Sequence, residues 1–309
     1  MYATNGAQFK NTAFSEWYIM YIYGDATNRA VISECFANRS GFNFTINDYT
    51  DVLNVISNGG NYGVQLQGAG TIDGFYISYK NYGVLSQGLA SGYVKFKNVS
   101  IKECVLGDTF IRCGIASVPY VFDFVDCKMT PERLTFYNSG AGVHRTTQNL
   151  ITSLSGVIYD ESSNPITSDV KIYDRDNNLL YTISAVDGIL STLEIVYFYT
   201  WREVAAGVTT AESSNHLSPF KIVVSKPGYQ DLEIPGVTVT PGLPTVIRGQ
   251  LVPEIPPVYV DRDIQGSVAI QDIQGSVAIQ EIQGSVEVED PQGVVQEINI
   301  TGVIKQTSL

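Results

Sequence analysis

The C-terminal stretch from Asp263 to Leu309 constrains this chain most, because it repeats. Asp263-Ile-Gln-Gly-Ser-Val-Ala-Ile-Gln is followed by the same nonad from Asp272, then by Glu281-Ile-Gln-Gly-Ser-Val-Glu-Val-Glu. Looser copies begin at Asp290 and Asn299, and Gly266, Gly275, Gly284, Gly293 and Gly302 keep a nine-residue spacing. A fixed period of this kind marks a repetitive, extended architecture. Within one copy Ile264, Val268 and Ile270 share parity and face one way in a strand. Nine is odd, so Ile273, Val277 and Ile279 face the other way, and the chain must bend or bulge at each junction. So short a strand cannot bury an apolar face alone, and nine residues are tight for one closed turn of a single-chain solenoid. The expectation is an intertwined β-fibre, a homotrimer, in which sister chains share each layer. Its oligomerisation residues would be Ile264, Gly266, Val268, Ile270, Ile273, Gly275, Val277, Ile279, Ile282, Gly284, Val286 and Val288. The alternative is a monomeric meander of antiparallel strands, but the junctions lack the Asn-Gly or Asp-Gly that two-residue hairpins favour.

Each nonad has one glycine and carries its acid before the isoleucine. Calcium-binding nonapeptide rolls have paired glycines and an aspartate in the turn, so no calcium is expected in this segment. The 309 residues are enough for two or three domains. A net charge of −12 without any basic cluster argues against nucleic-acid binding. Cys35, Cys104, Cys113 and Cys127 form no Cys-x-x-Cys pair, so zinc is not expected, and a chain this large can keep them as buried free thiols. The first residues lack the basic and apolar regions of a secretion signal. No run of 18 apolar residues exists, so no membrane insertion is expected.

Residues 1–150 read as short strands with polar or glycine-rich turns. In Tyr93-Val-Lys-Phe-Lys-Asn-Val-Ser-Ile-Lys-Glu-Cys104, Val94, Phe96, Val99 and Ile101 are apolar, and Lys97-Asn98 is the bend that changes parity. This phrase and Thr71-Ile-Asp-Gly-Phe-Tyr-Ile-Ser78 resemble the coils of right-handed parallel β-helices, over about residues 25–130. That resemblance implies stacked coils with inward asparagine, cysteine and aliphatic ladders; the alternative is an ordinary β-sandwich. Gly140-Ala-Gly and Thr146-Thr-Gln-Asn149 read as a linker.

Residues 151–251 contain Asp169-Val-Lys-Ile-Tyr-Asp174 and Phe220-Lys-Ile-Val-Val-Ser225, with turn chemistry at Asn164-Pro165, Asp187-Gly188 and Pro227-Gly228. With Gly156 and Asp160, these phrases resemble the carboxypeptidase regulatory-like, transthyretin-like β-sandwich family, which implies a non-catalytic spacer. Residues 190–218 depart from that pattern as an insertion. Its aromatic cluster, Tyr197, Phe198, Tyr199, Trp201 and Arg202, is read as a contact loop for a partner subunit or a glycan, or else as an extra hairpin. Residues 252–262 form a proline-rich linker, and 263–309 the repeat segment.

No catalytic constellation is apparent. His144 and His216 lie apart in polar sequence, and no phosphate-binding loop is present. Asp73, Asp108, Asp123 and Asp126 are acids that a β-helix could in principle bring together for glycoside chemistry. The expectation is therefore all-β and non-enzymatic, without cofactor. The modular plan resembles bacteriophage tail fibres and other virion appendages. That implies a homo-oligomeric virion protein that contacts other virion proteins and a host surface glycan. The alternatives are a cell-surface adhesin and a β-helix polysaccharide-degrading enzyme.

Overall fold

The computed structural model describes residues 2–3, 6–15, 19–38, 43–47, 49–66, 70–86, 92–113, 120–138, 142–254, 258–259, 268–270, 277–278, 282–289 and 295–302. The chain winds coil upon coil. β1 (Tyr2–Ala3), β2 (Gln8–Lys10) and β3 (Ala13–Ser15) are followed by β4 (Ile19–Ile22), β5 (Ala30–Ser33) and β6 (Phe36–Asn38). Next come β7 (Asn43–Ile46), β8 (Thr50–Leu53) and β9 (Val55–Leu66), then β10 (Gly70–Asp73) and β11 (Phe75–Ser86). β12 (Tyr93–Lys97), β13 (Ser100–Lys102), β14 (Gly107–Cys113), β15 (Tyr120–Val125) and β16 (Phe136–Asn138) lead into β17 (Val143–Tyr159). Neighbours in the stack pair in parallel: β1-β4-β7-β9-β11-β14-β16 along one wall, β2-β5-β8 and β10-β12-β15-β17 along another, and β3-β6-β9-β11-β13 between them. This is a parallel β-solenoid, as the coil phrases lead one to expect.

The corner that follows the second wall is set by one residue per coil. Asn11, Glu34, Asn54, Gly74, Asn98 and Asp126 all have φ between 51° and 71°. Asparagine, aspartate and glycine tolerate this left-handed region best. Each turned N–H can then reach the next coil: Gly74 donates to Lys97 O at 3.0 Å, Asn98 to Val125 O at 3.1 Å, and Asp126 to Ile151 O at 2.9 Å. The turn also aims the following residue inward, so Cys35, Val55, Phe75, Val99 and Cys127 are all buried. Cys35 and Cys127 are thus core residues, and all four cysteines are free and buried. Inside the coils Phe96 and Phe124 stack with ring centroids 5.0 Å apart.

β17 does not stop where the solenoid ends. The expected linker at Thr146–Asn149 lies in the middle of this 17-residue strand, and the boundary at 150/151 falls inside it. The polar letters mislead because Thr146 and Gln148 face inward and are buried. Then come β18 (Ser168–Tyr173), β19 (Leu179–Ala185), β20 (Ile189–Ala205), β21 (Val208–His216), β22 (Phe220–Ser225), β23 (Leu232–Val237) and β24 (Thr245–Gln250). β19-β18-β22-β23 form an antiparallel sheet, while β17 carries β20 and β21 on one side and β24 on the other. Ile158, Leu190 and Ile195 of the second sheet and Val170, Ile172, Ile222 and Val224 of the first are all buried. Gly156 keeps β17 close to β24, since a Cβ there would lie 2.4 Å from Ile247 Cγ1.

The supposed insertion at 190–218 is a hairpin. β20 pairs with β17 from Val143↔Ala205 to Val157↔Ile189, and β21 pairs with β20 around an Ala206-Gly207 turn. The aromatic cluster therefore lies in a strand, not a loop.

Residues 1–227 and 231–251 form one compact unit; Gly228–Gln230 and 252–309 form another. In the second, β25 (Val258–Tyr259) pairs in parallel with β27 (Val277–Ala278), and β26 (Val268–Ile270) with β28 (Ile282–Glu289). β28 also pairs antiparallel with β29 (Val295–Gly302). The first and third nonads thus share one sheet while the second lies in another, and Val268 pairs in register with Val286, two repeats on. Of the expected oligomerisation residues, Val268, Ile270, Val277, Ile282, Gly284, Val286 and Val288 fall in these strands. Ile264, Gly266, Ile273, Gly275 and Ile279 lie outside the described residues.

Candidate functional site

The outer face of the second wall carries a row of polar and aromatic side chains. Strand alternation puts Val94 and Phe96 inside and Tyr93, Lys95 and Lys97 outside, and likewise buries Phe122 and Phe124 while Asp123 points out. Parallel register then aligns Thr71, Lys95, Asp123 and Asn149, and antiparallel pairing continues the row through Tyr199 to Asn215. Six strands at ~4.8 Å spacing make a row of roughly 24 Å.

The row is internally bonded. Asp123 accepts from Tyr93 Oη at 2.8 Å and from Asn149 Nδ2 at 2.7 Å. Burial, aided by the Asp123 carboxylate, pushes the Tyr93 phenol up to about 12, so it stays a donor. Glu194 of β20 reaches across to Lys95, and to Lys97 at 2.9 Å. Partial burial works against the Glu194 carboxylate, yet its bonds to these two ammonium groups hold it below the usual carboxylate range. The Arg145 guanidinium lies 3.9 Å from the Trp201 ring centre, covering one face of the indole.

A bulge breaks the row's flat geometry. β17 pairs Leu150 with Phe198 but Ile151 with Val196, which leaves Tyr197 as the extra residue. Bulges bend a strand and re-aim its side chains. Here the bend brings the end of β21 and the β19 edge alongside, and the Tyr197 carbonyl accepts from Leu217 N at 2.9 Å. Between them lies a groove of about 290 Å³ lined by Asn149, Leu180, Tyr181, Val196, Tyr199 and Leu217.

The five residues of the expected contact loop are divided by this geometry. Tyr197 and Phe198 are buried. Tyr199 lines the groove, Trp201 packs under Arg145, and Arg202 bonds Glu212 at 2.9 Å and packs on Phe136. Asn149, Leu180, Tyr181 and Leu217 carry no sequence signal, because register and the bulge, not spacing, assemble them.

The four aspartates are engaged by different partners. Asp73 is held by Asn98, Asp126 accepts from Ser153 N at 2.8 Å, and Asp108 is buried against Arg133 at 2.8 Å. Neither histidine sits in a loop: His144 is in β17, and His216 ends β21 with its ring 4.7 Å from Phe198. No cluster of His, Cys, Asp and Glu fit to hold a metal occurs among the described residues. No protein-family model matches the chain, and no curated protein is significantly similar to it.

Proposed function

We propose that the protein is a structural, homo-oligomeric component of a bacteriophage virion appendage, a fibre or spike. The observation that carries this reading is the solenoid's direct continuation into a sandwich through β17, with no flexible joint at that point. Such a plan suits a stiff spacer. The nonapeptide repeats would supply self-association: sister chains would add strands to the ladders that alternate nonads begin within one chain. Burial of an aliphatic side chain contributes about 1.5–3 kcal/mol, so a few per repeat would make a tight assembly.

Light scattering coupled to size exclusion tests this reading. The full chain is expected at three times its 33.8 kDa mass. Val277→Asp should lower the oligomer mass, because a charge placed between chains would have no partner. A single-chain mass at micromolar concentration would overturn the assembly reading.

A further inference from the structure

Two aromatic surfaces among the described residues of the first unit differ in what they offer a ligand. Tyr62, Tyr82 and Phe110 stack in series along the first wall, at 6.1 and 4.3 Å with interplanar angles of 11° and 18°, and Tyr137 follows at 5.0 Å. Their ring faces are occupied by one another, so this column braces the coils and offers mainly edges. The groove at the Tyr197 bulge is different. Tyr181 and Tyr199 form its aromatic walls, Leu180, Val196 and Leu217 make the remainder apolar, and Asn149 is its polar residue.

From this geometry we infer that the groove binds a neutral oligosaccharide segment. Sugars present apolar C–H faces beside hydroxyl groups, and the lining supplies a counterpart to each. The Asn149 amide donates through Nδ2 to Asp123, which Tyr93 also holds, so its orientation is fixed before any ligand arrives. That leaves the amide oxygen as an acceptor for a sugar hydroxyl. Preorganisation lowers the cost of binding, and a mostly apolar pocket with few placed polar groups is the usual form of a ligand site. Charge sets the class. Lys95 and Lys97 are engaged by Glu194, whereas Asp123 has hydroxyl and amide partners rather than a cation. The chain carries a net charge of −12. Uronic-acid and sialylated glycans would therefore be repelled. The inference deepens the appendage reading by naming what such an appendage would contact.

The test is the full-length protein on an array of neutral, N-acetylated, uronic-acid and sialylated oligosaccharides of about four to eight sugars. The neutral or N-acetylated oligosaccharide giving the strongest signal is then titrated calorimetrically. Neutral glycans should bind, and Tyr199→Ala, Tyr181→Ala and Asn149→Leu should each weaken binding at least tenfold. Tyr62→Ala, in the ring stack, should bind as the parent does. Binding only to acidic glycans, no binding at all, or groove variants that melt and bind like the parent would each overturn the inference. Should Tyr199→Ala melt early, Leu217→Arg fills the groove from the opposite wall and decides the matter. The oligomer mass is measured on the same samples. A parent protein that assembles but binds no glycan sinks the groove alone; a parent monomer that still binds glycan sinks the appendage reading alone.

Discussion

Lys80 shows how far a single residue's place can depart from its letter. It sits in the polar stretch Tyr79-Lys-Asn-Tyr82, yet it is fully buried. The cause is a second corner ladder: Tyr79 and Glu103 have φ of 54° and 56°, and each turns the next residue, Lys80 or Cys104, into the solenoid. Burial pushes the Lys80 ammonium down to about 8, with Cys104 nearby acting weakly the other way. The folded value lies below the unfolded value of about 10.5. Between these limits the unfolded chain holds more protons, so this residue's contribution to stability rises with pH through that window. Below pH 8 its full cost is present. Burial raises Cys104 to about 11 and Cys127 to about 12, and these thiols act in the opposite sense over similar pH values. The useful quantity is therefore the difference between variant and parent. Lys80→Met should stabilise the protein by on the order of 1–3 kcal/mol at pH 7, and the advantage should shrink by pH 10. Thermal melts across that range check it; a destabilised variant with no pH trend would contradict it. The inward turn of Lys80 was not legible, because nothing but the backbone at Tyr79 dictates it. The bend at Asn98 was legible, because a parity change among Val94, Phe96, Val99 and Ile101 demands one.

At the level of elements, strands with clean alternation were readable and strands with polar inward faces were not. Asp169–Asp174 and Phe220–Ser225 announce themselves by alternating apolar residues. β17 conceals itself behind Thr-Thr-Gln-Asn, and β20 behind a run of aromatics that spans the Tyr197 bulge. The β20–β21 hairpin also lacks an Asn-Gly signal, since Ala206 and Gly207 make the turn with φ of 50° and 75°. Two positive φ values define the turn type that Asn-Gly favours. Ala206→Asn should therefore stabilise the hairpin by up to ~1 kcal/mol. Chemical denaturation would show it as a higher midpoint with unchanged slope. The groove was half legible: the Tyr197–Arg202 cluster marked the region, but β19 and the end of β21 reach it only through folding.

At the scale of the whole molecule, patterning was enough for the all-β class, and the coil phrases' resemblance to parallel β-helices pointed to the solenoid. The join between solenoid and sandwich was hidden, because shared strands leave no change of composition. Shared strands also couple stability. The 17-residue β17 and β20 belong to both parts, and β17 pairs with β15 on one side and β24 on the other. Neither part can lose these strands without exposing the core of the other. Residues 1–251 should accordingly melt in one cooperative transition, which calorimetry can resolve. Two well-separated transitions for the solenoid and the sandwich would refute the coupling.

The long β17–β20 ladder also bears on tension. A load applied along these strands would meet many hydrogen bonds at once, in shear, instead of opening them one after another. Rupture would then be governed by the unfolding rate rather than by equilibrium stability. A tether built this way can hold firm under a brief pull even when its resting stability is modest.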